Sequence, residues 1–169
     1  MKLLGALLIV VSCTAAGYLT SYTLARRTAA LKSFSAALQL LESEITDRRT
    51  ALPMAALLCS QQGTGAGTQF FSELYRGMEE DPAADFAALY RNALAEGRWD
   101  LLREDVALME ALGPVLGRYD GATQAEAIAN CRARLLQNAD CARQEQEWKG
   151  RICRAAGASL GVVLALLAI

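Results

Sequence analysis

The stretch "LKSFSAALQLLESEI", residues 31–45, sets Leu31, Phe34, Leu38, Leu41 and Ile45 at spacings of 3, 4, 3 and 4. Positions three and four apart share one face of an α-helix, because a turn takes about 3.6 residues. A half-buried strand would need alternation with period two. The stretch therefore predicts a two-heptad helix with an apolar seam and polar outer faces. No other part of the chain alternates with period two either, which points to an all-α fold.

Downstream, the seam fades at "TDRRT", residues 46–50. Thr50 is placed to cap a second helix, with Pro53 in its first turn and Leu52, Ala55, Ala56 and Cys59 on one side. "GTGAG", residues 63–67, reads as a loop. It has no lysine and follows no strand, so it is not a phosphate-binding loop. Phe70, Phe71, Leu74, Tyr75 and Met78 restore the helical period. "EEDPAADF", residues 79–86, stops that helix and begins another, with Asp81 as cap and Pro82 at the first position. Phe86, Leu89, Tyr90 and Ala93 line it, and "EGRWD" turns the chain. Leu101, Asp105, Leu108 and Leu112, with Leu102, Val106 and Met109, make a fifth helix. "GPVLGRYDGAT", residues 113–123, breaks it. A long helix follows from about Ala122, through Ile128, Cys131, Leu135, Ala139 and Ala142. The expected core is a helical bundle of about six helices, with the aromatic and methionine positions inside it.

Upstream, residues 3–25 form a run of 23 residues without a charge. That is long enough for a hydrocarbon core of about 30 Å. The competing reading is a cleaved signal peptide, since "VVSC" at 10–13 fits a lipoprotein pattern with Cys13 as the lipidated residue. The apolar run continues well past Cys13, and the positive start is Lys2 alone, which favours a retained anchor. The last 15 residues, 155–169, are also uncharged. At about 1.5 Å per residue they are short for a full crossing. They read as a short span, with a re-entrant or buried helix as the alternative. The organisation is then a transmembrane helix at 1–25, a bundle at 26–154 and a short transmembrane helix at 155–169.

The charges give an orientation. Arg26, Arg27 and Lys32 follow the first apolar run, and Lys149, Arg151 and Arg154 precede the second. As membrane-flanking anchors they place the bundle in the cytoplasm of a cell-membrane protein, with both termini outside. All 18 acids lie between Glu42 and Glu147, against ten arginines, a balance of about −8. An acidic middle and a net charge of −1 argue against nucleic acid as a partner.

Catalytic sets are weak. The chain has no histidine, so the commonest general base and metal ligand is missing. Its five cysteines, Cys13, Cys59, Cys131, Cys141 and Cys153, form no CxxC pair. They read as free thiols acting as small hydrophobes in a reducing compartment. Glu104 with Glu110, or Asp120 with Glu126, could be offered as paired carboxylates, but nothing in the sequence makes either pair converge. A thiol-dependent enzyme using Cys131 or Cys141 would lack its usual base. The chain is expected not to be an enzyme and to need no cofactor or metal.

The break "LGRYDGATQ", residues 116–124, remains. Gly117 permits a tight turn, Asp120 is placed to cap the last helix near Thr123, and Gln124 can bond back. Arg118 and Tyr119 have no such structural use.

At these residues the chain resembles the stage III sporulation AB family. The shared pieces are "LLGALLIV" at 3–10, "LQLLESEI" at 38–45, "TALPMA" at 50–55 and, most specifically, Leu116, Gly117, Asp120 and Gln124 in an LG-x-x-D-x-x-x-Q order. The resemblance implies a bundle similar to the cytoplasmic domain of type II secretion F-type platform proteins. It implies a scaffold of a channel complex between mother cell and forespore, on the mother-cell side. Its partners would be a secretion-type ATPase, other membrane subunits and further copies of the chain. It assigns no catalytic residue. A reading from a different class is a membrane-tethered adaptor that passes a signal between the two spans.

Overall fold

The computed structural model describes the backbone of residues 2–168 and the side chains of residues 22–149 and 152. It has six α-helices and, among the described residues, no strand. They are α1 (Lys2–Thr46), α2 (Leu52–Gln61), α3 (Ala66–Glu80), α4 (Phe86–Glu96), α5 (Arg103–Glu110) and α6 (Gly121–Ala168). Two compact units divide the chain: Arg27–Asp140, and Met1–Arg26 with Cys141–Ile169.

Within Arg27–Asp140 the 31–45 seam is the wall on which the bundle is built. Leu31, Phe34, Leu38 and Leu41 are completely buried. Ile128 and Leu135 of α6 are buried to the same degree, with Cys131 and Ala139 beside them. Phe70 of α3 is the aromatic centre. Its ring lies 5.6 Å from Phe34, 5.0 Å from Tyr90 and 6.0 Å from Trp99. The Tyr90 and Trp99 contacts are edge-to-face, the arrangement that the ring quadrupole favours. Trp99 is held by its indole N–H, which donates to the Leu94 carbonyl at 3.0 Å. Gly97 makes room for it, since a Cβ there would stand 1.9 Å from the indole ring.

The elements differ from the sequence expectation at four of their starts. Thr50 does not cap α2. Its hydroxyl donates to Glu44 at 2.8 Å, and Ala51 occupies the cap position without a side-chain bond. Asp81 does not cap α4 but closes α3, as its C-cap, with its N–H donating to the Gly77 carbonyl at 3.1 Å. Its carboxylate accepts from the Ala83 N–H within a short turn, and α4 begins at Phe86, after Asp85. The loop read at 63–67 is shorter, because α3 already starts at Ala66. Gly67 is buried there against α1, where a Cβ would meet the Ser33 carbonyl oxygen at 2.5 Å. The glycine is needed for close helix approach as much as for a loop. α5 starts at Arg103, two residues after Leu101.

Among the described residues no helix is long and apolar enough to cross a membrane. The uncharged runs 3–25 and 155–169 lie outside the described side chains except for residues 22–25. Lys2, Cys13, Arg151, Cys153 and Arg154 also lie outside them.

Candidate contact surface at the 116–124 turn

After α5 the chain makes tight turns through residues 111–119 before α6 begins at Gly121. Leu116 is buried and anchors the turn in the core. Gly117 follows with φ of 82°, a left-handed conformation that suits glycine. The Asp120 carboxylate accepts from the Thr123 hydroxyl at 2.5 Å. That bond, with backbone N–H groups of the same turn, holds its pKa below the ordinary carboxylate value. Gln124 is buried, and its amide donates to the Tyr119 carbonyl at 2.6 Å. All four motif residues are thus used to shape the turn. What the shape presents is Arg118 and Tyr119. Tyr119 is 58% exposed, and Arg118 makes only a long ion pair of 3.7 Å with Asp85.

The turn does not stand alone. Gly117, Gly121, Ala122 and Gln124 form one wall of a groove of about 680 Å³. The other wall is the end of α1 and the connection to α2: Ile45, Thr46, Arg49, Thr50 and Leu52. Two segments some seventy positions apart in the sequence, "TALPM" and "LGRYDGATQ", therefore meet at one surface. The connection is held from below by Glu44, which is buried and accepts from Arg48 and Thr50, each at 2.8 Å. Arg49 sits at φ of 51°, uncommon for a residue with a side chain. It brings a guanidinium to a groove whose lining contains no acid.

A second polar cluster was hidden in the sequence. Asp105 is fully buried. It accepts from Arg27 at 2.9 and 3.1 Å, from the Asn138 amide at 2.7 Å and from the Leu102 N–H at 3.1 Å. Glu104 adds a bond to the same guanidinium at 2.9 Å. Burial works against the Arg27 charge, but hydrogen bonds and charge from Asp105 and Glu104 outweigh it and raise the pKa. The signal was an acid at an apolar register position, Leu101–Asp105–Leu108, whose partners lie far away in sequence.

The other singled-out residues scatter. Arg26 lies over the Tyr22 ring at 5.8 Å, Lys32 is exposed and Lys149 pairs with Glu145. Glu104 is engaged with Arg27, and Asp120 with Thr123. Burial first, and the Glu44 charge second, push the Cys59 thiol up to about 12. Burial pushes Cys131 up to about 11. Both thiols face backbone carbonyls at 3.6 Å, Ala37 for Cys59 and Leu108 for Cys131. Neither is activated as a nucleophile would be. Among the described residues no group of three Cys, Asp or Glu side chains could hold a metal ion.

A family model described as stage III sporulation protein AB matches residues 2–169. The chain belongs to the stage III sporulation protein AB family. A relative from Bacillus subtilis (strain 168), itself described as "Stage III sporulation protein AB", is 28% identical over 172 residues. That match covers 99% of this chain and 98% of the relative. A solved structure titled "Stage III sporulation protein AB (SpoIIIAB)" superposes with a TM-score of 0.65 at 23% identity. It covers 73% of this chain and 98% of its own length. At that identity the likeness speaks for the helical fold. The family match spans both groove segments and makes the chain a sporulation protein.

Proposed function

We propose that this member of the stage III sporulation protein AB family is a non-enzymatic, membrane-anchored platform subunit. It docks a secretion-type ATPase through the groove and turn at 116–124. The observation that carries the reading is the division of labour within that turn. Leu116, Gly117, Asp120 and Gln124 build its shape, while Arg118 and Tyr119 are held outward beside a groove bearing Arg49. Tyr119, 58% exposed, is the large side chain that this turn offers to a partner.

The rest of the reading follows from the sequence. The uncharged runs would hold the bundle by both ends at the cytoplasmic face of the cell membrane, on the mother-cell side that the resemblance implies. The basic flanks would favour anionic headgroups. Other membrane subunits of the sporulation channel and further copies of the chain would complete a platform that a single bundle cannot supply.

The test uses the full chain in nanodiscs and the purified secretion-type ATPase of the same complex. Tyr119→Ala should abolish capture of the ATPase while the melting temperature stays within a degree or two, because the side chain it removes is exposed. Undiminished capture by that variant would overturn the docking face. Asp120→Ala separates support from contact: it should lower the melting temperature and weaken capture in proportion.

A further inference from the structure

We propose that Tyr22 and Trp148 form an aromatic collar that seats this protein at a fixed depth among the lipid headgroups. The inference rests on the membrane-anchored reading and adds to it the residues that set the depth.

Large apolar side chains left in water can mark a surface that something else covers. Among the described residues of the unit formed by Met1–Arg26 and Cys141–Ile169, three are exposed: Tyr22 at 53%, Trp148 at 62% and Ile152 at 46%. Their positions in the chain are not arbitrary. Counted from Leu3, Tyr22 is the twentieth residue of the uncharged run. Twenty helical residues at about 1.5 Å each span a hydrocarbon core of about 30 Å. Tyr22 therefore falls where that core should end. On the other arm, Glu147 is the last acid of the chain, and Trp148 follows it directly. Trp148 and Ile152 are four residues apart on α6 and share a face. They are separated by about 6 Å along the axis, comparable to one headgroup layer, roughly 5–8 Å.

The chemistry suits a lipid surface, and the basic flank favours one that is anionic. Tyrosine and tryptophan combine a flat apolar body with one polar hydrogen, and both concentrate where hydrocarbon meets water. Arg26 lies over the Tyr22 ring at 5.8 Å, which places a cation at the same level. Beyond Trp148 the chain carries Lys149, Arg151 and Arg154 and no acid. Lys149 pairs back to Glu145. A basic, acid-free stretch leading into an uncharged one complements anionic headgroups lying over acyl chains.

The chain has two tryptophans, Trp99 and Trp148, and Trp99 is buried in the bundle. Subtracting the emission of Trp148→Phe from that of the wild type therefore isolates Trp148. The experiment places full-length protein in phosphatidylcholine–phosphatidylglycerol vesicles brominated at shallow or deep acyl positions, with flotation run on the same samples. The collar predicts that the chain floats, that the Trp148 signal is blue-shifted, and that shallow bromines quench most of it while deep ones quench little. Floating protein whose Trp148 yields only to aqueous acrylamide would overturn the collar and leave the anchoring intact. Floating protein whose Trp148 is shielded from both quenchers would overturn it in favour of a protein contact. A chain that does not float would remove the anchoring, and the collar with it.

Discussion

Asp105 shows how much one side chain can carry. A buried carboxylate is costly unless it is paired and fully hydrogen-bonded. Here four donor contacts tie α1, α5 and α6 together at a single oxygen pair. Asp105→Ala leaves the part-buried Arg27 facing an empty site with only the exposed Glu104 as partner. Breaking a buried pair in this way costs about 3–5 kcal/mol. Chemical denaturation of the variant should show that loss, whereas Glu104→Ala, at an exposed pair, should cost under about 1 kcal/mol. The cysteines give a pH test. With thiols pushed up to about 12 and 11, folding keeps Cys59 and Cys131 protonated. Their raised values mean that the associated stability is fully present below the ordinary thiol value of about 8.5. It is lost as pH rises through the folded values. At pH 8 iodoacetamide should therefore label both sites on the order of 100-fold more slowly in native than in urea-unfolded protein. Peptide mapping reads this directly, and equal rates would mean that neither thiol is buried as described.

At the scale of elements, the helix periods were legible because burial obeys the same 3.6-residue repeat that spaces the side chains. Leu31, Phe34, Leu38 and Leu41 were readable as core from spacing alone, and so were Ile128, Cys131, Leu135 and Ala139. Starts were less legible wherever a local donor or acceptor had a better partner elsewhere. Thr50 could have capped α2, but Glu44 offers it a buried carboxylate. Asp81 precedes Pro82 as an N-cap would, yet it ends α3 and closes a short turn, and α4 begins after Asp85. Trp99 is a core residue that no periodicity reveals, because it lies in the connection between α4 and α5. The groove was invisible for a different reason. Each wall is a local motif, but their meeting depends on the tertiary path of α1 and α6. Gly67 supplies a test at this scale. Its N–H donates to the Ser33 hydroxyl at 3.0 Å, and that hydroxyl donates to the Thr64 carbonyl at 3.0 Å. Gly67→Ala pushes a methyl into the α1 backbone. Overpacking of this kind costs about 1–3 kcal/mol, and the melting temperature should fall accordingly. Gly121→Ala, whose nearest neighbour would be Ile45 at 3.9 Å, should not show that loss.

At the scale of the whole molecule, a helical bundle over Arg27–Asp140 is flanked in the sequence by the uncharged runs 3–25 and 155–169, and the 116–124 turn lies on the bundle surface. The proposed platform would be held at a membrane by those runs and against its partner by that turn. Its acidic middle, about −8 between Glu42 and Glu147, would keep the bundle off an anionic lipid surface, leaving the groove open to a cytoplasmic partner. The most direct test is photo-crosslinking in sporulating cells from a benzophenone amino acid placed at position 119. The platform account predicts a covalent adduct with the secretion-type ATPase that disappears when Arg49 is replaced by glutamate. An adduct-free position 119, in cells where the protein is present at normal level and the ATPase is expressed, would contradict it.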